Sequence, residues 1–174
     1  VQKLPVSDFR LMTEHLVKHK GMINKLGDYE EVVQHPTLKH IIGVNKRVME
    51  SHVEAMILFI NPEYNEPIHL SPVEPFDLES LEGYDELESC MPDQLIVPNL
   101  IQMTERMSNT NHQSALKMRH KNVRTCHIEM ALQQETLNES YCLYAKQMGW
   151  ANVSDTVDEI QLEAYEYFQN MYYG

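Results

Sequence analysis

A chain of 174 residues with 43% apolar and 23% charged side chains has the size and make-up of one globular domain with its own core. Its net charge of −12 argues against a nucleic-acid partner, which would call for a basic face. No stretch nears the roughly twenty apolar residues of a membrane span, no signal-peptide pattern stands out, and eleven Met against six Gly favour helix over strand.

Taken in order, Ser7-Asp8 reads as a helix start. An apolar pattern follows through Met12, Leu16, Ile23 and Leu26, with Gly27-Asp28 as punctuation. His35-Pro36 separates this element from a second helix over about 37–60, for which Thr37 is the expected N-cap and Pro62 the stop. Residues 61–94 hold ten Asp or Glu, five Pro and no Lys or Arg, so nearly all the net charge sits there. Ile68, Leu70, Val73, Phe76, Leu78 and Leu81 suggest that this segment packs along the helices, with a short helix around 80–88. Helix three is expected after Asp93, with Pro98 in its opening turns. Helix four spans His120–Trp150, its stripe carried by Val123, Met130, Leu137, Tyr141, Tyr144 and Met148, and Gly149 ends it. Asp155 opens a fifth helix that runs into a Tyr-rich tail.

The expected architecture is therefore all-α and a single domain over 1–174. It is a ferritin-like four-helix bundle with a long acidic crossover between helices 2 and 3, which makes those two helices parallel, and an extra C-terminal helix. Residues 1–60 form the first helical hairpin, 61–94 the Pro-rich crossover, 95–150 the second hairpin and 151–174 the C-terminal helix. An internal echo supports two hairpins. The segment His35-Pro-Thr-Leu-Lys returns as His120-Lys-Asn-Val-Arg at an offset of 85 residues, which also matches Glu50 with Glu135 and Phe59 with Tyr144.

A di-iron bundle needs Glu-x-x-His on two helices, so that both side chains face the interior. That spacing is absent here. Glu50-Ser-His52 and His127-Ile-Glu129 set their two members on opposite faces, so one of each pair can point inward but not both. No catalytic, cofactor-binding or metal-binding residue is assigned, and no cofactor is expected. His15 and His19, at i and i+4 with Glu14 beside them, could share an ion. His19, Asn45, His52, Asn111 and Gln134 fall on or beside their stripes and define a polar layer across the bundle. Its simplest use is to bond within itself and fix register. Cys126-His127 lacks a third orienting group for thiol catalysis, and acidic neighbours blunt Cys90. Three Cys, two of them about 24 Å apart on one helix, point to a reduced, intracellular setting. Tyr165, Tyr167, Phe168, Met171, Tyr172 and Tyr173 form an aromatic face, packed on the bundle or used for assembly.

From Asn122 to Trp150 the chain resembles the Coat F family of spore-coat proteins from Bacillus and relatives. The residues are Val123-Arg124, His127-Ile-Glu-Met-Ala-Leu-Gln-Gln134, Leu137-Asn138, Tyr141, Tyr144 and Met148-Gly149-Trp150. Asp93 through Ala115-Leu116 is similar to the family's other helix. The family usually continues with Tyr after Gly-Trp, whereas Ala151 follows here, as in a diverged member. The resemblance implies a ferritin-like structural protein of the endospore coat, assembled from the mother-cell cytoplasm, without catalysis. It further implies other coat proteins as partners and a homodimer or higher oligomer. The alternative is a ferritin-like metal-binding protein holding iron, manganese or zinc at a degenerate mid-bundle site around His19 and His52.

Overall fold

The computed structural model describes residues 3–77, 91–151 and 154–174. Among these residues there are five helices and no strand: α1 (Val6–Val32), α2 (Pro36–Ile60), α3 (Met91–Lys117), α4 (Lys121–Gln147) and α5 (Asp158–Tyr173). No helix among them is long and apolar enough to cross a membrane.

Helices α2, α3 and α4 carry an uninterrupted four-three rhythm of buried positions, and α1 carries the same rhythm with the half-buried Met22 between His19 and Leu26. On α3 it runs Asp93, Val97, Leu100, Thr104, Met107, Asn111, Ser114, and on α4 Val123, His127, Met130, Gln134, Leu137, Tyr141, Tyr144. Such a rhythm keeps one seam of a helix facing its neighbours along the whole length. The apolar members gather in two clusters. One unites Leu26, Ile42, Leu100 and Leu137 with Tyr141 and Tyr144. The other unites Met12, Met56, Phe59, Met118, Val123 and Met130.

Boundaries shift from the sequence expectation where packing overrides local signals. α1 continues past Gly27-Asp28 to Val32, because Leu26 is fully buried and Tyr29 still packs on the core. α2 begins at Pro36, with His35 extended ahead of it, so Thr37 is not the cap. α3 begins at Met91, two residues before Asp93, and carries Pro98 in its second turn, so the crossover ends earlier than expected. α5 starts at Asp158 rather than Asp155.

The end of α4 follows its sequence signal closely. Gly149 has φ +69°, its N–H bonds to the Lys146 carbonyl at 3.0 Å, and the Trp150 N–H reaches Ala145 at 2.9 Å. This is a Schellman turn, which only a left-handed residue closes. Gly149→Ala should therefore lower stability by about 1 kcal/mol, measurable by urea unfolding.

Two buried carboxylates set the relative directions of the helices. Asp8, in the first turn of α1, accepts the backbone N–H of Arg119 (3.0 Å) and of His120 (2.7 Å) in the loop before α4. Asp93, in the first turn of α3, accepts those of Gln34 (3.1 Å) and His35 (2.9 Å) before α2. The start of α1 thus lies beside the start of α4, and the start of α3 beside that of α2. Helices α2 and α3 consequently run parallel, and the segment between them must return the length of α2. It does so along the helices: Ile68 exchanges two hydrogen bonds with the Asn122 side chain. Leu70 N–H then reaches Glu129 at 2.9 Å, and Val73 and Phe76 pack on the core. Leu78, Leu81, Cys90 and the expected short helix at 80–88 lie outside the described residues.

The reciprocal carboxylates are themselves 85 residues apart, as are the loops they hold. The two hairpins are therefore related throughout by the offset first visible at His35 and His120.

Candidate functional site

The interior between the two apolar clusters is polar. His15, His19, His52 and His127 are each 2% exposed or less, and their rings form a chain. His127 meets His15 edge-on at a centroid distance of 5.2 Å, His15 stacks on His19 at 6.0 Å, and His19 meets His52 edge-on at 5.5 Å. The four-three rhythm on α1, α2 and α4 puts them there.

The expected polar layer is buried in full, since His19, Asn45, His52, Asn111 and Gln134 are all at 1% exposure or less. It divides, however, into two groups. Asn45 donates to the Tyr141 hydroxyl at 3.2 Å, and Gln134 reaches toward Asn45 and the Met49 sulfur. His19 and His52 belong to the histidine group, together with His15, His127, Gln133 and Ser114. The pairing differs from the one the sequence suggests. His19 Nδ1 bonds the His15 carbonyl at 2.8 Å, so these two rings do not chelate side by side; the ring nitrogen facing His19 belongs to His52, at 3.3 Å. Glu14 points outward into an exposed ion pair with Arg10. As the i, i+2 spacing required, His52 and His127 face inward, while Glu50 is exposed and Glu129 holds the crossover.

His52 Nε2 donates to Gln133 Oε1 at 2.7 Å, and the Gln133 amide in turn donates to the Ser71 carbonyl. His15 Nε2 lies 2.8 Å from Ser114 Oγ, and His127 Nδ1 lies 2.9 Å from the Val123 carbonyl. Among the described residues, His15 Nδ1, His127 Nε2 and both polar atoms of the Asn111 amide have no partner in good hydrogen-bond geometry, although Asn111 lies near enough to His15 to favour its charged form slightly. Burial favours the neutral form of all four rings. His15 is depressed to about 3, by burial first and then by repulsion from His127, His19 and Lys18. His19 is depressed to about 4 by burial, against the bond to His15. His52 is depressed to about 3 by burial and by His19. His127 is lowered, again by burial. Among the described residues, no group of three or more His, Cys, Asp or Glu is arranged to hold a metal ion.

The internal offset gives a control for this layer. The positions matching His15, His52 and His127 are Leu100, Leu137 and Ile42, all fully buried, and Asn111 matches Leu26. Three of the four imidazole positions are thus filled with hydrocarbon at the other end of the same architecture, while the position matching His19 is the buried Thr104.

Cys126 is buried and its thiol is pushed up to about 12, by burial and then by Glu129, which leaves it a poor nucleophile beside His127. The aromatic C-terminal helix does not pack on the core. All sixteen residues of α5 are exposed. Ile160, Ala164, Tyr167, Phe168 and Met171 fall on one side of it, with Glu159, Glu163 and Glu166 on the other. His15, Ser114, His127 and Gln133 are the members that the expected layer left out. His127 was within reach, since it sits four residues after Val123 and three before Met130 in the rhythm; Gln133 lies off the seam and is recruited by the crossover. Comparison of the chain with protein-family models, with curated proteins and with solved structures finds no match.

Proposed function

We propose that the protein is a structural component of the bacterial endospore coat, built on a ferritin-like four-helix bundle and working through self-association and contacts with other coat proteins. The observation that carries this reading is α5, a helix with one apolar side, three further tyrosines off that side and none of its residues buried. Tyr and Met are enriched where proteins meet, and a helix of this composition gains stability from a partner that covers it. The run from Asn122 to Trp150 supplies the location through its likeness to Coat F proteins. Parallel α2 and α3 joined by a long crossover suit the ferritin-like topology.

A fluorescent fusion expressed in sporulating Bacillus cells should form a ring around the forespore, and removal of residues 154–174 should disperse it. A diffuse mother-cell signal from the full chain would overturn the proposal.

A further inference from the structure

Charge is divided unevenly between the bundle and its C-terminal helix. Residues 151–174 hold five Asp or Glu and no Lys or Arg. One end of the bundle has the opposite sign. Around the start of α1, the end of α3 and the start of α4 it carries Lys3, Arg10, Lys117, Arg119, Lys121 and Arg124, all exposed. The acidic side chains near them are fewer. They are Glu63 and Glu66 at the head of the crossover, Glu14, which pairs with Arg10, and Asp8, which is buried on backbone N–H groups. The same end holds an open apolar groove of about 340 Å³. Leu4, Val6 and Phe9 line it from α1 and the residues before it, Ile60 and Pro62 from the end of α2, and Lys3 stands at its edge. Val6 is 84% exposed and Phe9 47%. The loop with Arg119 and His120 lies beside both walls, for its N–H groups bond Asp8 and the His120 ring stands 6.5 Å from that of Phe59.

We propose that this groove receives α5 of a second copy of the chain, so that two antiparallel bundles exchange their C-terminal helices. The inference rests on the reading of α5 as the element of self-association. α5 matches the groove in two respects. Ile160, Tyr167, Phe168 and Met171 offer an apolar ridge, each more than half exposed. Asp158, Glu159, Glu163 and Glu166 bring negative charge to a basic rim. The chain's own α5 is badly placed to fill the groove. Ala151 packs on the core beyond the end of α4, whereas the groove lies at the far end of α2, a helix of 25 residues, and so about 37 Å away. From Ala151 to Asp158 the chain reaches at most about 25 Å. Only the second half of α5 could arrive there, with the linker drawn straight. In an antiparallel pair each α5 starts beside the other bundle's groove, and two-fold symmetry forms both contacts at once. Pairing of α5 with α5 is disfavoured, because each helix brings four carboxylates and no cation.

Sedimentation equilibrium of the full chain tests this, and a dimer is expected. The double variant Lys3→Glu, Val6→Glu changes two exposed positions and should weaken dimerisation by more than about tenfold with helicity kept. Tyr167→Glu, Phe168→Glu in α5, where nothing is buried, should do the same. Mixed together, the two variants should pair, since one keeps an intact helix and the other an intact groove, and this rescue separates exchange from loss of fold. A monomeric parent, a groove variant that dimerises as tightly as the parent, or two variants that ignore each other when mixed would each overturn the proposal. A forespore ring from a chain that is monomeric in solution sinks the exchange and leaves the coat reading standing. A dimer that shows the rescue, with a diffuse signal in cells, does the reverse.

Discussion

Acidification of the protein from pH 7 to pH 5 is expected to destabilise it by on the order of 6 kcal/mol, above the range in which carboxylates titrate. The cause is the histidine layer. In the unfolded chain each imidazole takes up a proton near pH 6.5. In the fold His15, His19 and His52 stay neutral down to about 3, about 4 and about 3, and His127 is lowered as well. Between those limits the unfolded state binds more protons, so stability falls as pH falls. At pH 5 the first three rings alone cost about 2 kcal/mol each, on the order of 6 kcal/mol together, against roughly 5–15 kcal/mol for a whole domain. His35, lowered by burial against the pull of Asp93, adds in the same direction. Asp8 does not contribute in this window. Burial raises it, but the His120 and Arg119 N–H groups and the Ser7 hydroxyl outweigh burial and hold it below the usual carboxylate range, so its loss comes at lower pH.

The check is the melting temperature across pH 5–8, followed by circular dichroism. The triple variant His15→Leu, His52→Leu, His127→Ile carries the residues of the matching positions in the other hairpin, and its curve should flatten over this interval. A parent protein with the same melting temperature at pH 5 and pH 7 would show that the layer is hydrated or charged in the fold.

The helices were legible because their seams are long and regular, and a period of three and four residues survives interruption by polar side chains. Thus Gln134, seen in sequence as a break in the stripe, is a buried member of it. The polar layer was legible for the same reason, but its pairing was not. Spacing on one helix brings His15 and His19 together, whereas the ring nitrogen that His19 meets comes from α2, through a packing choice that one helix cannot reveal. The fate of the aromatic tail was equally hidden, because an apolar stripe looks the same whether it is covered or bare. The acidic crossover announced itself by composition, and its length carried the direction of α3. What composition could not supply was its anchorage, since Asn122 and Glu129 hold it largely through backbone groups that leave no mark in sequence.

That blindness to backbone partners also hid the pair of carboxylates on which the second large effect rests. Asp8→Ala should destabilise the protein by about 2–4 kcal/mol, and Asp93→Ala by a similar amount, because each leaves two backbone N–H groups in a loop without their acceptor. Asn in place of Asp8 keeps one accepting oxygen and should cost roughly half as much, which separates loss of the bonds from loss of the side chain. The two carboxylates sit at opposite ends of α1, about 40 Å apart by helix length, and share no partner, so their effects should add to within about 0.5 kcal/mol. The double variant then loses on the order of 4–8 kcal/mol, enough to leave most chains unfolded at 37 °C for a domain of ordinary stability. Guanidinium unfolding of the two single variants and the double tests this directly. A double variant no less stable than either single one would mean that the hairpins do not depend on these contacts to dock. The reciprocal arrangement at an offset of 85 residues would then be an inheritance of the repeat rather than what holds its halves together.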